Sequence, residues 1–184
     1  MEDKIYKGKL VRLAIQQKDN VKAYERWNLD SEYARLADSD PSYLWSRQQM
    51  AEWIDKEEDC QVSFNIRTLA DDKLIGGVGL WISDWASRNA WVGIGIGERE
   101  YWGKGYGTEA MRLIVRFGFR ELNLNRISLD VFGYNERAVR SYEKVGFKVE
   151  GRMREWINRA GVRSDLIYMG LLRREWEAVE ENLE

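Results

Sequence analysis

The hydrophobic period changes between Trp91 and Leu122, and this change restricts the possible folds more than any other feature of the chain. From Trp91 to Gly97 the residues alternate. Val92, Ile94 and Ile96 fall on one face of an extended segment, and Gly93, Gly95 and Gly97 fall on the other. Beyond Gly107 the spacing becomes helical, with Ala110, Leu113, Ile114, Phe117 and Leu122 in one apolar stripe. Tyr101-Trp102-Gly103-Lys104-Gly105-Tyr106-Gly107-Thr108 joins the two. The sequence therefore predicts a strand with one nearly bare face, a glycine turn and an amphipathic helix. A bare strand face admits a backbone, a helix or a ligand at close range. The alternating glycines let successive N–H groups turn inward, and the helix N-terminus adds partial positive charge. The turn thus suits a phosphate or pyrophosphate as well as a plain strand-to-helix connection. It is not a Walker loop, since no Ser or Thr follows Lys104, and its third glycine is misplaced for a dinucleotide fingerprint.

The flanking segments extend this pattern. Leu10 to Ala14 reads as a first strand, followed by a helix capped by Asp19 or Asn20 and running through Trp27. Ser31 starts a second short helix. Ser46-Arg47-Gln48-Gln49 has capping-box spacing and leads into a helix carrying Met50, Trp53 and Ile54. Val62, Phe64 and Ile66 alternate with polar residues, Asp71-Asp72 makes a turn, and Leu74 to Ile82 returns as a strand. After the central helix come a strand at Arg126 to Phe132 and a helix from Asn135 to Lys144 that stops at Val145-Gly146. A strand from Phe147, bent on its way to Ile157, a turn at Arg159-Ala160-Gly161 and a strand from Arg163 to Leu171 complete the order. The expected class is α/β (α+β), a mixed, mostly antiparallel sheet flanked by helices.

Composition sets the chemistry that is possible. The 184 residues have 44% hydrophobic and 33% charged side chains, which predicts one globular domain over residues 1–184. No apolar run is long enough to cross a bilayer, and Met1-Glu2-Asp3-Lys4 does not open a secretory signal, so a cytoplasmic location and no membrane partner are expected. There is no histidine and one cysteine, Cys60. A His or Cys metal cage, a Ser-His or Cys-His nucleophile and an internal disulfide are therefore excluded, and no metal site is expected. With 29 basic and 31 acidic residues, direct nucleic-acid binding through bulk charge is not expected. The charges are unevenly placed: Asp19 to Asp72 holds 13 acidic and 6 basic residues, and Arg137 to Arg174 holds 10 basic and 4 acidic. The first suits a cationic partner and the second an anionic one.

A second stretch, Asn135-Glu136-Arg137-Ala138-Val139-Arg140-Ser141-Tyr142-Glu143-Lys144-Val145-Gly146-Phe147, places Asn135, Ala138 and Tyr142 on one helix face, with Asn135 at the N-terminus. Taken with the glycine turn, it resembles the GNAT superfamily of acetyl-CoA-dependent N-acetyltransferases. The resemblance extends from Leu10 to about Leu172 and is strongest from Trp91 to Phe147. Trp102 to Gly107 follows the motif Q/R-x-x-G-x-G/A, with Trp102 in place of Gln or Arg, and Asn135, Ala138, Tyr142, Gly146 and Phe147 match N-x-x-A-x-x-x-Y-x-x-x-G-F. Glu150 to Glu155 and Arg163 to Met169 look like the branch containing ribosomal-protein N-terminal and spermidine acetyltransferases.

The resemblance implies a site. Backbone amides of Gly103, Lys104, Gly105, Tyr106, Gly107 and Thr108 would hold the coenzyme A pyrophosphate, next to Trp102, and the pantetheine would pair like an extra strand with backbone groups of Ile94 and Ile96. Asn135 would touch the pantetheine, Arg137 and Arg140 are candidates for the adenosine phosphates, and Tyr142 would protonate the departing thiolate as general acid. Many relatives carry Glu where this chain has Trp91, so the obvious base is absent. Glu155 and Asp165 are candidates to bind the acceptor ammonium or relay its proton, and Asp30, Glu32, Trp81, Trp91 and Trp85 to shape the acceptor pocket. The expected partners are acetyl-CoA as cosubstrate and a primary amine: a peptide N-terminus, a polyamine or another small molecule. A monomer or homodimer and, in a different class, a non-catalytic coenzyme A-binding module stay open.

Overall fold

The computed structural model describes residues 5–55 and 60–180. The start at 1–4, the segment 56–59 of the acidic stretch and the end at 181–184 lie outside the described residues. Among the described residues seven strands form one sheet in the order β1-β2-β3-β4-β5-β7-β6. They are β1 (Val11–Ala14), β2 (Gln61–Thr68), β3 (Leu74–Asp84), β4 (Asn89–Ile96), β5 (Arg126–Phe132), β6 (Lys148–Arg159) and β7 (Val162–Leu172). The helices are α1 (Val21–Asn28), α2 (Ser31–Ala37), α3 (Arg47–Asp55), α4 (Tyr106–Arg120), α5 (Glu136–Glu143) and α6 (Arg173–Glu180). Every strand pair is antiparallel except β4 with β5, where the chain crosses over through α4. Among the described residues no helix is long and apolar enough to cross a membrane.

The helical stripe of α4 lies against the aliphatic face of the sheet. Ala110, Leu113, Ile114 and Phe117 are buried with Val78 and Leu80 of β3, Val92 of β4, and Ile127 and Leu129 of β5. The carboxylate of Glu109, in the first turn of α4, accepts from the backbone N–H groups of Lys9, Leu10 and Val11 at 2.9, 2.6 and 2.8 Å. This contact fastens the entry of β1 to the helix, and the position suits the helix dipole. A second cluster, Val21, Tyr24, Trp27, Met50 and Ile54 from α1 and α3, covers part of the opposite sheet face.

Two local expectations change. Asn20 is the N-cap residue of α1 but makes no side-chain cap bond; its Oδ1 accepts from Arg67 instead, at 3.2 Å. The glycine face of β4 is not bare. A Cβ on Gly93 would stand 2.9 Å from the Trp81 ring, one on Gly95 2.5 Å from the Tyr33 hydroxyl, and one on Gly97 2.0 Å from the Trp27 ring. Aromatic side chains from β3, α2 and α1 fill the space. The capping box holds in both directions: Ser46 N–H donates to Gln49 Oε1 at 2.9 Å and Gln49 N–H to Ser46 Oγ at 3.2 Å. The expected bend in β6 corresponds to register shifts between Val149 and Gly151 and between Met153 and Ile157, and Glu155 takes a φ of 54° within the second.

Candidate active site

The parallel pairing of β4 with β5 stops at Trp91 and Ser128. Beyond it the two strands part. The Gly97 N–H bonds to Ile75 on the β3 side at 2.9 Å, and along a strand successive residues direct their peptide groups to opposite sides. Those of Ile94 and Ile96 therefore face the gap. The Ile96 carbonyl accepts from the Trp102 indole at 2.6 Å, which leaves the groups of Ile94 to pair with an extended, amide-bearing chain. A cleft of about 360 Å³ occupies the gap and runs to the start of α4.

The glycine turn closes one end. Gly103 and Gly105 have φ of 72° and 92°, conformations in which a side chain would be strained, and Gly105 is the left-handed N-cap residue of α4. The free N–H groups of the first helical turn follow directly, so an anion at this end meets both the turn and the dipole. The hydroxyls of Thr108 and Ser141 lie 2.7 Å apart and tie α4 to α5 across the cleft. The Asn135 side chain caps α5, accepting from the Ala138 N–H at 3.2 Å, while Ala138 and Tyr142 line the cleft one and two turns further on. The helix stops where Gly146 and Phe147 N–H groups both bond the Tyr142 carbonyl, with Gly146 at a φ of 114°. Burial pushes the Tyr142 hydroxyl up to about 12, so it stays protonated through the physiological range.

Of the residues singled out from the sequence, the cleft gathers Ile94, Ile96, Trp102, Gly103, Gly105, Gly107, Thr108, Asn135, Arg137, Arg140 and Tyr142. Lys104 and Tyr106 do not line it; Tyr106 packs edge-on against Tyr101, ring centres 4.8 Å apart. The acceptor-side candidates are scattered. Asp30 accepts from the N–H groups of Glu32 and Tyr33 as the cap of α2 and is clasped by Arg99 at 2.5 and 2.6 Å, which holds its carboxyl down at about 2. Glu32 also pairs with Arg99, at 2.5 Å. Both carboxylates are thus engaged with a cation of the protein itself. Trp81 covers Gly93, and Trp91 packs edge-on against Tyr168 at 6.0 Å. Asp165 accepts from the Glu155 N–H at 3.1 Å within the β6–β7 hairpin, and neither residue lines the cleft.

Two residues escape a reading by motif. Tyr33 of α2 lines the cleft, with its hydroxyl pushed up to about 12 by burial. Asp130 lies on β5 two residues past the last β4 pair, opposite Tyr168 of β7. Its side chain keeps an exposed edge, yet partial desolvation raises its carboxyl, the nearby Asp38 carboxylate raises it further, and the Asp130 charge in turn raises Tyr142. A carboxylate and a phenol thus stand in electrostatic contact beside the gap. The only sequence signal for Asp130 is an acid between the apolar Leu129 and Val131 of the strand Arg126–Phe132.

Residues 10–148 match the acetyltransferase (GNAT) domain family. YdaF of Bacillus subtilis (strain 168), provisionally named a ribosomal N-acetyltransferase, is 38% identical over 109 residues; the match spans 59% of this chain and 59% of that protein's length. The SPbeta prophage-derived uncharacterized N-acetyltransferase YokL of the same organism is 28% identical over 171 residues, 92% of this chain and 94% of its own. The crystal structure of spermidine N-acetyltransferase from Vibrio cholerae, in complex with CoA and spermine, superposes with a TM-score of 0.82 at 25% identity, covering 91% of this chain and 98% of that one. With three quarters of its length inside that domain family, the chain belongs to the GNAT acetyltransferases.

Proposed function

We propose that the chain transfers the acetyl group of acetyl-CoA to a primary amine in the cytoplasm, by direct attack of the amine on the thioester. The observation that carries this reading is the gap between β4 and β5, which joins unpaired strand peptides at Ile94 to an anion-binding glycine turn and ends beside Tyr142. The cofactor fits that arrangement: its pyrophosphate on the turn from Gly103 to Thr108, its pantetheine amides along Ile94 and near Asn135, its thioester by Tyr142. Direct attack needs a neutral amine, a carbonyl-oxygen donor and a proton for the thiolate. Tyr142 gives that proton, being fully protonated at neutral pH while a thiol ionises near 8.5. Asp130 takes a proton from the bound ammonium so that the neutral amine attacks, and Asp38 adds negative charge that draws the cation in.

The acceptor is best read as an α-amine, such as a peptide N-terminus. An α-amine has an ordinary pKa of about 7.7–8.0 and a lysine-like amine about 10.4, so a carboxylate base need remove far less from the former. A polyamine is the second reading, favoured by the spermine in the Vibrio cholerae complex. A thiol-release assay with a panel of amines tests the function itself: no coenzyme A release with any amine would leave a binding module. The ratio of kcat/KM for a short free-N-terminus peptide to that for spermidine, from pH 6.5 to 9.5, separates the acceptors. Preference for spermidine at neutral pH would overturn the α-amine reading.

A further inference from the structure

One arginine of the proposed site meets no carboxylate at ion-pair distance among the described residues. Arg99 is paired with Asp30 and Glu32, and Arg140 with Glu136 at 3.0 Å. Arg137, which lines the cleft in the first turn of α5, is without such a partner. Its guanidinium instead lies over the Trp102 ring, 4.1 Å from the ring centre. Trp102 is itself fixed in two ways. Its indole N–H donates to the Ile96 carbonyl at 2.6 Å, and Arg99 lies over its ring at 5.4 Å, anchored by the two acids of α2. A connected column therefore runs from Asp30 and Glu32 through Arg99 and Trp102 to Arg137, ending at the glycine turn.

We propose that Arg137 is the side-chain cation for the cofactor pyrophosphate and that Trp102 is its positioning residue, holding the guanidinium by stacking while the indole N–H fixes the ring to β4. An arginine suits this role because its planar group can stack on the indole and still present N–H donors to phosphate oxygens. Desolvation under the stack disfavours the charge of Arg137 and the nearby Glu32 carboxylate favours it, while the side chain stays exposed at the cleft, where an anion can reach it. The column also accounts for Asp30 and Glu32, which hold Arg99, and through it the stack, and so reach the cofactor without touching the acceptor.

The inference rests on the pyrophosphate lying at the Gly103–Thr108 turn, and the ligands separate the two. For the unaltered protein, calorimetry should give far tighter binding of acetyl-CoA than of S-acetylpantetheine, which lacks the phosphates; equal affinities would remove the phosphates from the turn. If that difference holds, Arg137→Gln should weaken acetyl-CoA and its 3′-dephospho form alike by about ten- to a hundredfold, the worth of a charge-assisted phosphate contact, and leave S-acetylpantetheine unchanged. Trp102→Leu should give the same selective loss at about three- to tenfold, with Trp102→Phe, which keeps a stacking ring, closer to the parent. In the Arg137→Gln background the Trp102 effect should disappear. Equal weakening of S-acetylpantetheine, a loss confined to ligands with the 3′-phosphate, or a Trp102 effect that persists without Arg137 would each overturn the assignment. Thermal unfolding of each variant identifies any that fails to fold, and Trp102→Phe keeps the test open in that event.

Discussion

The two faces of β3 and β4 are built on opposite rules. On the face under α4, Val78, Leu80, Val92 and the helical stripe fill their own space, each side chain covering its neighbours. On the other face lie Gly77, Gly93, Gly95 and Gly97, and the volume comes from Tyr24, Tyr33 and Trp27, carried in by α1 and α2, and from Trp81 of β3, which covers Gly93. The first face is filled by the strands' own aliphatic side chains meeting those of α4, and it chiefly supports stability. The second is made by distant segments laid over a flat floor, and it adjoins the cleft through Tyr33. A change on the first face should be felt as lost folding free energy, and a change near the second as altered chemistry too.

Four substitutions test that division, beginning with the largest effect. Leu80→Ala, at a fully buried position, should cost about 2–5 kcal/mol in chemical denaturation while the turnover of the folded fraction holds. An equal loss of turnover would deny that the faces are separable. Tyr142→Phe should do the reverse, lowering turnover by about ten- to a thousandfold with acetyl-CoA affinity and stability nearly unchanged. Since burial pushes Tyr142 up to about 12, the parent enzyme should also show no alkaline decline in kcat below pH 10 that this variant abolishes. Gly97→Ala should cost about 1–3 kcal/mol, because its Cβ would stand 2.0 Å from the rigid Trp27 ring. At Gly95 the same change meets the outer end of Tyr33 and should cost less. A Gly97→Ala protein as stable as the parent would mean that the aromatic cover is loose.

The contrast also explains what could be read in the sequence. Strands and helices were legible where a residue's partners lie within its own element: the alternation of Val62, Phe64 and Ile66, the stripe of α4, the reciprocal Ser46 and Gln49 cap. The cleft proposed for the cofactor was legible for a related reason, because Gly103, Gly105, Asn135 and Tyr142 sit at fixed offsets on one turn and one helix. The acceptor side was not. The acids at Asp30 and Glu32 suggest a cation site until Arg99, distant in sequence, folds onto them. Asp130 carries no motif, and its character comes from partial desolvation and from Asp38, brought to it from the end of α2. Charge found along a sequence gives no account of which charges will be paired in space.

Asp130→Asn should produce the smallest change in stability, and its sign is the informative part. In the folded protein, partial desolvation and the Asp38 carboxylate raise the Asp130 carboxyl from its ordinary value of about 3.9, an effect that solvent keeps small because the side chain is exposed; Tyr142, the other titratable group coupled to it, stays neutral until about 12. A carboxyl with a raised folded-state pKa contributes most to stability below the unfolded value, and that contribution is lost as pH rises through the folded value. The parent protein thus carries an ionised group at neutral pH that folding disfavours. Asn, which cannot ionise, should make the protein more stable than the parent at pH 7, and the gain should vanish near pH 3, where both side chains are neutral. Turnover should fall in the same variant, with the acid limb of the kcat/KM profile removed. Paired denaturation curves at the two pH values and a pH–rate profile check both halves. A variant less stable at pH 7 would make Asp130 a structural acid, and unchanged turnover would remove it from the proton path.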